Sequence, residues 1–332
     1  MMSTPTADER TQRRRRVTGA VVMATGLLII AVAAIVIWSW RAELPDPVAS
    51  HWGANGRPDG FTSLGGIFAV LLGLGGALVL LFARTTWSVG QSSVTRRIGA
   101  AVTIWLSLFV STVVVGSLWG QRGLADARDA GSVNGVLLAA ILISIVPAII
   151  TAIVVPGDLR QPTTAPVAAD APRVKLVDGE RAVWIGRAGT KVAFYVAVPV
   201  IALGIALAVW TGTWAVLIID AIVAAALVML TTFVVRVDRM GLTVRSAVGF
   251  PRYRVPLDEV VRAGVTQVSP VKNYGGWGWR VGRDGRVGVV LRKGEALLVE
   301  RTGGRSIAVT VDGAATAAGL LNALADRARA TA

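Results

Sequence analysis

Six apolar stretches, each free or nearly free of charge, follow one another at residues 17–40, 61–83, 98–119, 131–155, 192–210 and 214–235. With a helical rise of about 1.5 Å per residue, such runs are long enough to cross about 30 Å of hydrocarbon. The sequence therefore predicts an α-helical membrane bundle of six transmembrane helices. The composition agrees, since 54% hydrophobic against 16% charged residues, with a mean hydropathy of +0.62, is not that of a soluble domain. The first run is too long for a secretory signal, and Trp38-Ser39-Trp40-Arg41 offers no small-residue cleavage site, so it is expected to persist in the mature protein.

The charge distribution orients these helices. Arg10 and Arg13 to Arg16 precede the first helix, and Arg84, Arg96, Arg97, Arg160, Arg173, Lys175, Arg181, Arg187 and Lys191 fall in loops on that same side. The opposite loops carry only Arg41, Arg57, Arg122 and Arg128. Basic residues concentrate on the cytoplasmic side, so both termini are predicted there, with Trp40, Trp119, Trp210 and Trp214 at the outer interface. The net charge of +14 is explained by this topology and by anionic membrane lipid, and no nucleic-acid partner is expected. The chain has no cysteine and one histidine, which removes disulfides, thiolate nucleophiles, Cys-ligated metals and most of what a Ser-His-Asp triad or zinc site needs. No catalytic residues, metal or cofactor are predicted, and the chain is not expected to be an enzyme.

Five segments follow: a basic cytoplasmic tail at 1–16, a four-helix membrane module at 17–156 with an outer loop at 41–60, a cytoplasmic linker at 157–191, a transmembrane hairpin at 192–235 and a soluble domain at 236–332. The linker is rich in Pro, Ala and Thr over 156–171, which reads as flexible. In the last segment, short alternating runs broken by Gly, Pro and Asp predict strands at 241–246, 253–256, 264–268, 277–281, 287–291, 296–301 and 306–311. Asp312 is then expected to N-cap a helix at 314–329, whose apolar face carries Leu320, Leu321 and Leu324.

The outer loop reads Leu44-Pro45-Asp46-Pro47-Val48-Ala49-Ser50-His51-Trp52-Gly53-Ala54-Asn55-Gly56-Arg57-Pro58-Asp59-Gly60-Phe61. Its prolines fix extended backbone, its glycines permit tight turns, and the lone imidazole stands eight residues before a carboxylate. The run resembles the DUF1648 signature, LP-x-x-V-x-x-HW-x-x-x-G-x-x-DG-F, found in the Sdp-type immunity proteins and many multi-pass proteins. Ala49 stands where the family often has a second proline. Pro45, His51, Trp52, Gly56, Asp59 and Gly60 are the candidate ligand-binding residues. His51 has two principal roles open to it: fixing the loop through Asp59 or a backbone carbonyl, or meeting an external peptide or protein as a proton-sensitive contact. A metal held with Asp46 and Asp59 is disfavoured by so sparse a ligand set.

Asp220 is the one charge well inside an expected span. It must face the bundle, be protonated or find a partner, for which Ser107, Ser111 and Thr112 are candidates; a proton or cation step in transport is the functional alternative. Gly65, Ala69, Gly73 and Ala77 recur every four residues, a stripe suited to helix packing within the chain or between protomers, and Pro147 and Pro199 are expected to kink their helices.

From Gly179-Glu180-Arg181-Ala182-Val183-Trp184-Ile185-Gly186-Arg187 through Asp238-Arg239-Met240-Gly241-Leu242-Thr243-Val244 and Val255-Pro256-Leu257-Asp258-Glu259-Val260, the chain resembles membrane-anchored bacterial PH-like domains. That resemblance implies a β-barrel or sandwich closed by one helix, acting as a binding or scaffolding module. The run from Tyr274 to Arg280 lacks a phosphate-binding pattern and reads as a hairpin, whose Trp277 and Trp279, with Arg252, Arg254, Arg280 and Arg283, either form ordinary strand faces or meet membrane or partner. Together the resemblances imply a bacterial plasma-membrane sensor, immunity-like protein or scaffold with an outer ligand and a cytoplasmic protein partner. A small proton- or ion-coupled transporter using Asp220 is the alternative.

Overall fold

The computed structural model describes residues 7–53, 55–88, 92–177, 179–190, 192–212 and 216–330. The chain divides into two units, one built chiefly on Glu9–Asp158 and the other on Leu159–Val209 with Val216–Ala332.

The first unit is helical. It comprises α1 (Ala7–Ser39), a hairpin of β1 (Val48–Trp52) and β2 (Pro58–Thr62), and α2 (Leu64–Phe68), which runs through π-helical turns at Ala69–Gly75 into α3 (Gly76–Ser88); α4 (Ser93–Trp119) and α5 (Asn134–Val154) complete it. Four lengths, Glu9–Ser39, Leu64–Trp87, Ser93–Trp119 and Asn134–Val154, are long and apolar enough to cross a membrane. Arg10 and Arg13 to Arg16, expected in a tail, belong to the first turns of α1. Ser63 and Ser92 cap α2 and α4 by accepting from the amides of Gly66 and Thr95 at 3.2 Å. The core is filled by Ile30, Ile37, Ile67, Leu71, Val79 and Leu118.

The small-residue stripe does not pack inside this chain. Gly65, Ala69, Gly73 and Ala77 are all exposed, because Ile67, Leu71 and Val79, two positions further on, supply the volume that fills the core. Close helix approach occurs instead at other glycines, where an added Cβ would lie 2.8 Å from Ser107 Oγ (Gly26), 2.6 Å from Thr86 Oγ1 (Gly99) or 2.6 Å from Val136 Cγ1 (Gly116). Pro147 and Pro199 are accommodated inside α5 and α6 (Val192–Thr211).

The second unit is rich in sheet. β3 (Trp184–Gly189), β4 (Thr232–Asp238), β5 (Gly241–Ser246) and β6 (Arg252–Val255) form an antiparallel sheet in that order. A second sheet has the order β7-β10-β11-β9-β8, from β7 (Val260–Val268), β8 (Gly278–Val281), β9 (Val287–Val290), β10 (Gly294–Arg301) and β11 (Arg305–Thr310). Phe233 and Tyr253 of the first sheet meet the ring of Trp279 in the second at 6.3 and 5.8 Å. After α8 (Pro270–Tyr274), the last helix, α9 (Ala314–Ala330), packs against β7, β10 and the first sheet. Of the expected barrel or sandwich, the barrel does not close: two open sheets end on strands β3, β6, β7 and β8.

Several boundaries differ from expectation. The residues expected as the end of a sixth span leave the helix, since α7 (Val216–Thr231) passes directly into β4. Thr232, Val234 and Val235 are β-branched, and pairing of Gly189 with Thr232 through Trp184 with Val237 satisfies their backbone. At 16 residues α7 spans about 24 Å; Trp214 lies outside the described residues. The 157–191 segment is not a free linker. Its Thr163 and Ala168 amides bond the carbonyls of Asp258 and Val261, Val174 bonds Gly319, and its end forms β3. The fully buried Asn322 of α9 clamps it, donating to the Pro172 and Ala263 carbonyls at 2.7 and 2.8 Å while accepting from the Ala263 amide. Gly275 at φ +67° caps α8, so the glycine-rich run is a helix end feeding β8 rather than a hairpin. Asp312 pairs with Arg292 instead of capping α9, whose first turn closes from the Ala317 amide to the Gly313 carbonyl.

Candidate functional site

The β1–β2 hairpin is latched to the α4 end of the first unit by one side chain. Gln121, fully buried just past α4, accepts from the Ala49 amide at 2.7 Å and donates to the Ala49 carbonyl at 3.0 Å and the Ser117 carbonyl at 3.1 Å. This reproduces across a side chain the pairing a neighbouring strand would give. Trp52 donates its indole N–H to the Gly131 carbonyl at 3.0 Å, and the Gly123 amide bonds the Glu43 carbonyl at 2.7 Å. Ala49 packs with Ala127 and Ala130, flanked by Trp52, Phe61 and Leu124.

Beside these latches, an aromatic and ionic cluster fixes the ends of α1 and α4. Trp40 and Trp119 meet edge to face at 5.4 Å. The Arg122 guanidinium lies over both rings, 4.9 and 4.5 Å from their centroids, and pairs with Glu43 at 2.6 Å.

Within the hairpin His51 Nδ1 and Asp59 Oδ1 stand 2.5 Å apart, so the carboxylate holds the ring and leaves Nε2 without a hydrogen bond among the described residues. Both side chains are largely exposed. Gly60 faces His51 across the ladder, where a Cβ would lie 2.8 Å from His51 Cβ, and Gly56 turns the chain at φ +73°. The spacing of histidine, aspartate and glycine is therefore geometric: the glycine makes room for the imidazole that the aspartate holds. Arg128 covers the Phe61 ring at 5.5 Å.

Below the hairpin lies a cavity of about 540 Å³, between β1, the α2 and π-helical turns, α4 and α5. His51, Trp52 and Ser50 form its roof, Ile67, Val70, Val113 and Leu137 its apolar walls, and Thr62 and Ser117 add hydroxyls. Its size and lining suit a small apolar ligand or a side chain with one polar end. Among the described residues no group of three or more His, Cys, Asp or Glu is placed to hold a metal, and no nucleophile is hydrogen-bonded to His51.

Of the residues expected from sequence, His51 and Trp52 line the cavity, Asp59 and Gly60 set the His51 ring, and Gly56 shapes the turn. Pro45 is half-buried in the bend before β1 and does not reach the cavity. Gln121, Ser117 and Val113 escape a sequence reading centred on the loop. Their signal is weak but present: Val113 and Ser117 share one face of α4, and Gln121 continues the interval of four as an amide just past the end of that apolar helix.

Asp220 belongs to the second unit, in α7. Its carboxylate lies so close against Gly204 of α6 that a Cβ there would overlap it, and Oδ2 is buried without a hydrogen-bond partner in the described structure. Ser107, expected as its partner, donates to the Thr103 carbonyl at 2.7 Å.

No curated protein and no solved structure matches the chain. The match that does occur falls on the segment just described, from the second half of α1 through the hairpin to the π-helical turns: residues 27–74 match the family described as Domain of unknown function (DUF1648).

Proposed function

We propose that the chain is a bacterial plasma-membrane sensor or immunity-like scaffold, not an enzyme. Its DUF1648 hairpin receives an external or membrane ligand, and its sheet-rich unit holds a cytoplasmic protein. The observation that carries this is the cavity of about 540 Å³ roofed by His51 and Trp52, on a hairpin rigidly latched through Gln121. Arg10 and Arg13 to Arg16 in the first turns of α1, with Arg84, Arg96 and Arg97 flanking the α3–α4 connection, support a cytoplasmic N-terminus with the hairpin outside. In this reading α6 and α7 form a short membrane hairpin, and the sheets with their closing helix are a PH-like module. Resemblance of the loop to the Sdp-type immunity proteins supports an external peptide as ligand.

The test is photo-cross-linking in native membranes from a reactive residue replacing Trp52, with one replacing Ile153 of α5 as control. A discrete species captured at 52 but not at 153, and lost in His51→Ala with Asp59→Ala, supports the reading. Identical capture at both positions refutes it.

A second reading, an ion-coupled transporter, is favoured by one observation, the buried unpartnered Oδ2 of Asp220. It requires flux in liposomes that falls in Asp220→Asn.

A further inference from the structure

The outward face of the four-stranded sheet carries far more positive than negative charge. Arg245 and Arg252 stand directly opposite each other on β5 and β6, and Arg254 faces Thr243, which in turn pairs with Arg236. Arg236 is neutralised by Asp238 at 2.6 Å. Arg245, Arg252 and Arg254 have no carboxylate partner among the described residues, and these side chains surround a concavity of about 460 Å³. Like charges directly opposite on neighbouring strands are destabilising unless something neutral or negative separates them. Desolvation, and after it the charges of Arg254 and Arg245, lower the proton affinity of Arg252.

The position of this face matters as much as its charge. α7 passes into β4 at Thr232, and the Ala247 amide bonds the Thr232 carbonyl, so the β5–β6 turn lies beside the foot of an apolar helix. That turn exposes Val248 and Phe250, at 57% and 40%, although nothing in the fold requires apolar side chains there. An apolar tip with arginines immediately behind it matches the layering of a membrane interface, acyl chain first and headgroup phosphate next.

We infer that the concave face between β4, β5 and β6 binds the phosphate of an anionic phospholipid, with Arg245, Arg252 and Arg254 as its ligands and Val248 and Phe250 seated among the acyl chains. This rests on the proposed placement of α6 and α7 in the membrane. Arginine suits the role because its planar fork donates two parallel hydrogen bonds to phosphate.

The experiment uses the full chain in an uncharged detergent at physiological salt, titrated with phosphatidylglycerol or phosphatidylcholine and read by native mass spectrometry. At about fivefold per arginine, corresponding to about 1 kcal/mol each, Arg245→Gln with Arg252→Gln and Arg254→Gln is expected to weaken phosphatidylglycerol retention at least tenfold. Phosphatidylcholine retention and melting temperature should stay unchanged, as should both lipids in the control Arg283→Gln with Lys293→Gln. Equal phosphatidylglycerol retention by wild type and the triple variant overturns the site. Displacement of the lipid by glycerol 3-phosphate at equimolar concentration overturns the lipid assignment in favour of a free phosphate. The membrane placement is tested separately, since the chain has no cysteine: Ala202→Cys in α6 should resist a water-soluble maleimide in intact membranes. Its full labelling overturns the membrane hairpin, whereas protection combined with arginine-independent lipid retention overturns the headgroup site alone.

Discussion

Replacing Gln121 by Leu keeps nearly the same volume and removes three hydrogen bonds at a fully buried position, two of them to Ala49. The Ala49 amide and carbonyl lose their partners while the hairpin stays docked, and each unsatisfied buried group costs about 1–3 kcal/mol. The third bond is less damaging, because the Ser117 carbonyl can be served within its own helix. The net loss in hairpin docking is then about 2–4 kcal/mol, which raises the undocked population about 30- to 1000-fold. Gln121→Glu is a sharper probe, since a carboxylate can still accept from the Ala49 amide but cannot donate to its carbonyl. It should fall between wild type and Gln121→Leu near pH 4, and approach Leu at neutral pH. The assay is the labelling rate of a single introduced cysteine, Ala49→Cys, buried on the docked face of β1 and exposed only on undocking. Limited chymotryptic proteolysis at Phe61, half-buried in β2, provides an independent readout. An unchanged labelling rate in Gln121→Leu, with cleavage at Phe61 no faster than in wild type, would show that the hairpin is held by apolar packing and that the amide latch contributes nothing.

Glu259 is 1% exposed and binds Arg301, itself 4% exposed and bonded to the Tyr253 hydroxyl at 2.7 Å, with Arg305 at 3.2 Å and the Gln161 amide at 3.0 Å. Removing one partner of such a buried pair costs about 3–5 kcal/mol, so Glu259→Ala should sharply lower the melting temperature of the sheet-rich unit, whereas Glu259→Leu with Arg301→Met should recover much of the loss. Burial alone would raise the Glu259 pKa, but the Arg301 hydrogen bond and charge, the Gln161 amide and Arg305 outweigh it and hold it below the ordinary 4.5. Its contribution is therefore complete above about 4.5 and is lost as pH falls through the lower folded value, so the melting gap between wild type and Glu259→Gln should close on acidification. Gly60→Val should displace the His51 ring, since even a Cβ would stand 2.8 Å from His51 Cβ; the His51 chemical shifts of this variant should match those of Asp59→Ala, and wild-type shifts would refute the geometric account of the motif.

Local chemistry alone made much of this protein legible. Four apolar lengths, the strand at 241–246 to the residue, and the helix following Gly313 are visible in hydrophobic period and in glycine and proline punctuation, because each is decided by neighbours within a turn or two of chain. The eight-residue step from His51 to Asp59 was equally readable, since a short hairpin brings the two together with little help from the rest of the molecule.

What the sequence could not decide depends on partners distant along the chain. Gln121 reads as an ordinary polar residue until Ala49, 72 positions earlier, is laid beside it. Thr232 to Val235 is apolar enough to continue a helix, and becomes a strand only because β3 and β5 offer it edges to pair with. The proline-rich segment before β3 has the composition of a tether and is an ordered strap, because Asn322 and Asp326 meet its backbone amides and carbonyls. Gly65, Ala69, Gly73 and Ala77 carry the pattern of a packing face, yet helix contact falls at Gly26, Gly99 and Gly116, since steric fit is a property of two surfaces and a sequence displays one at a time.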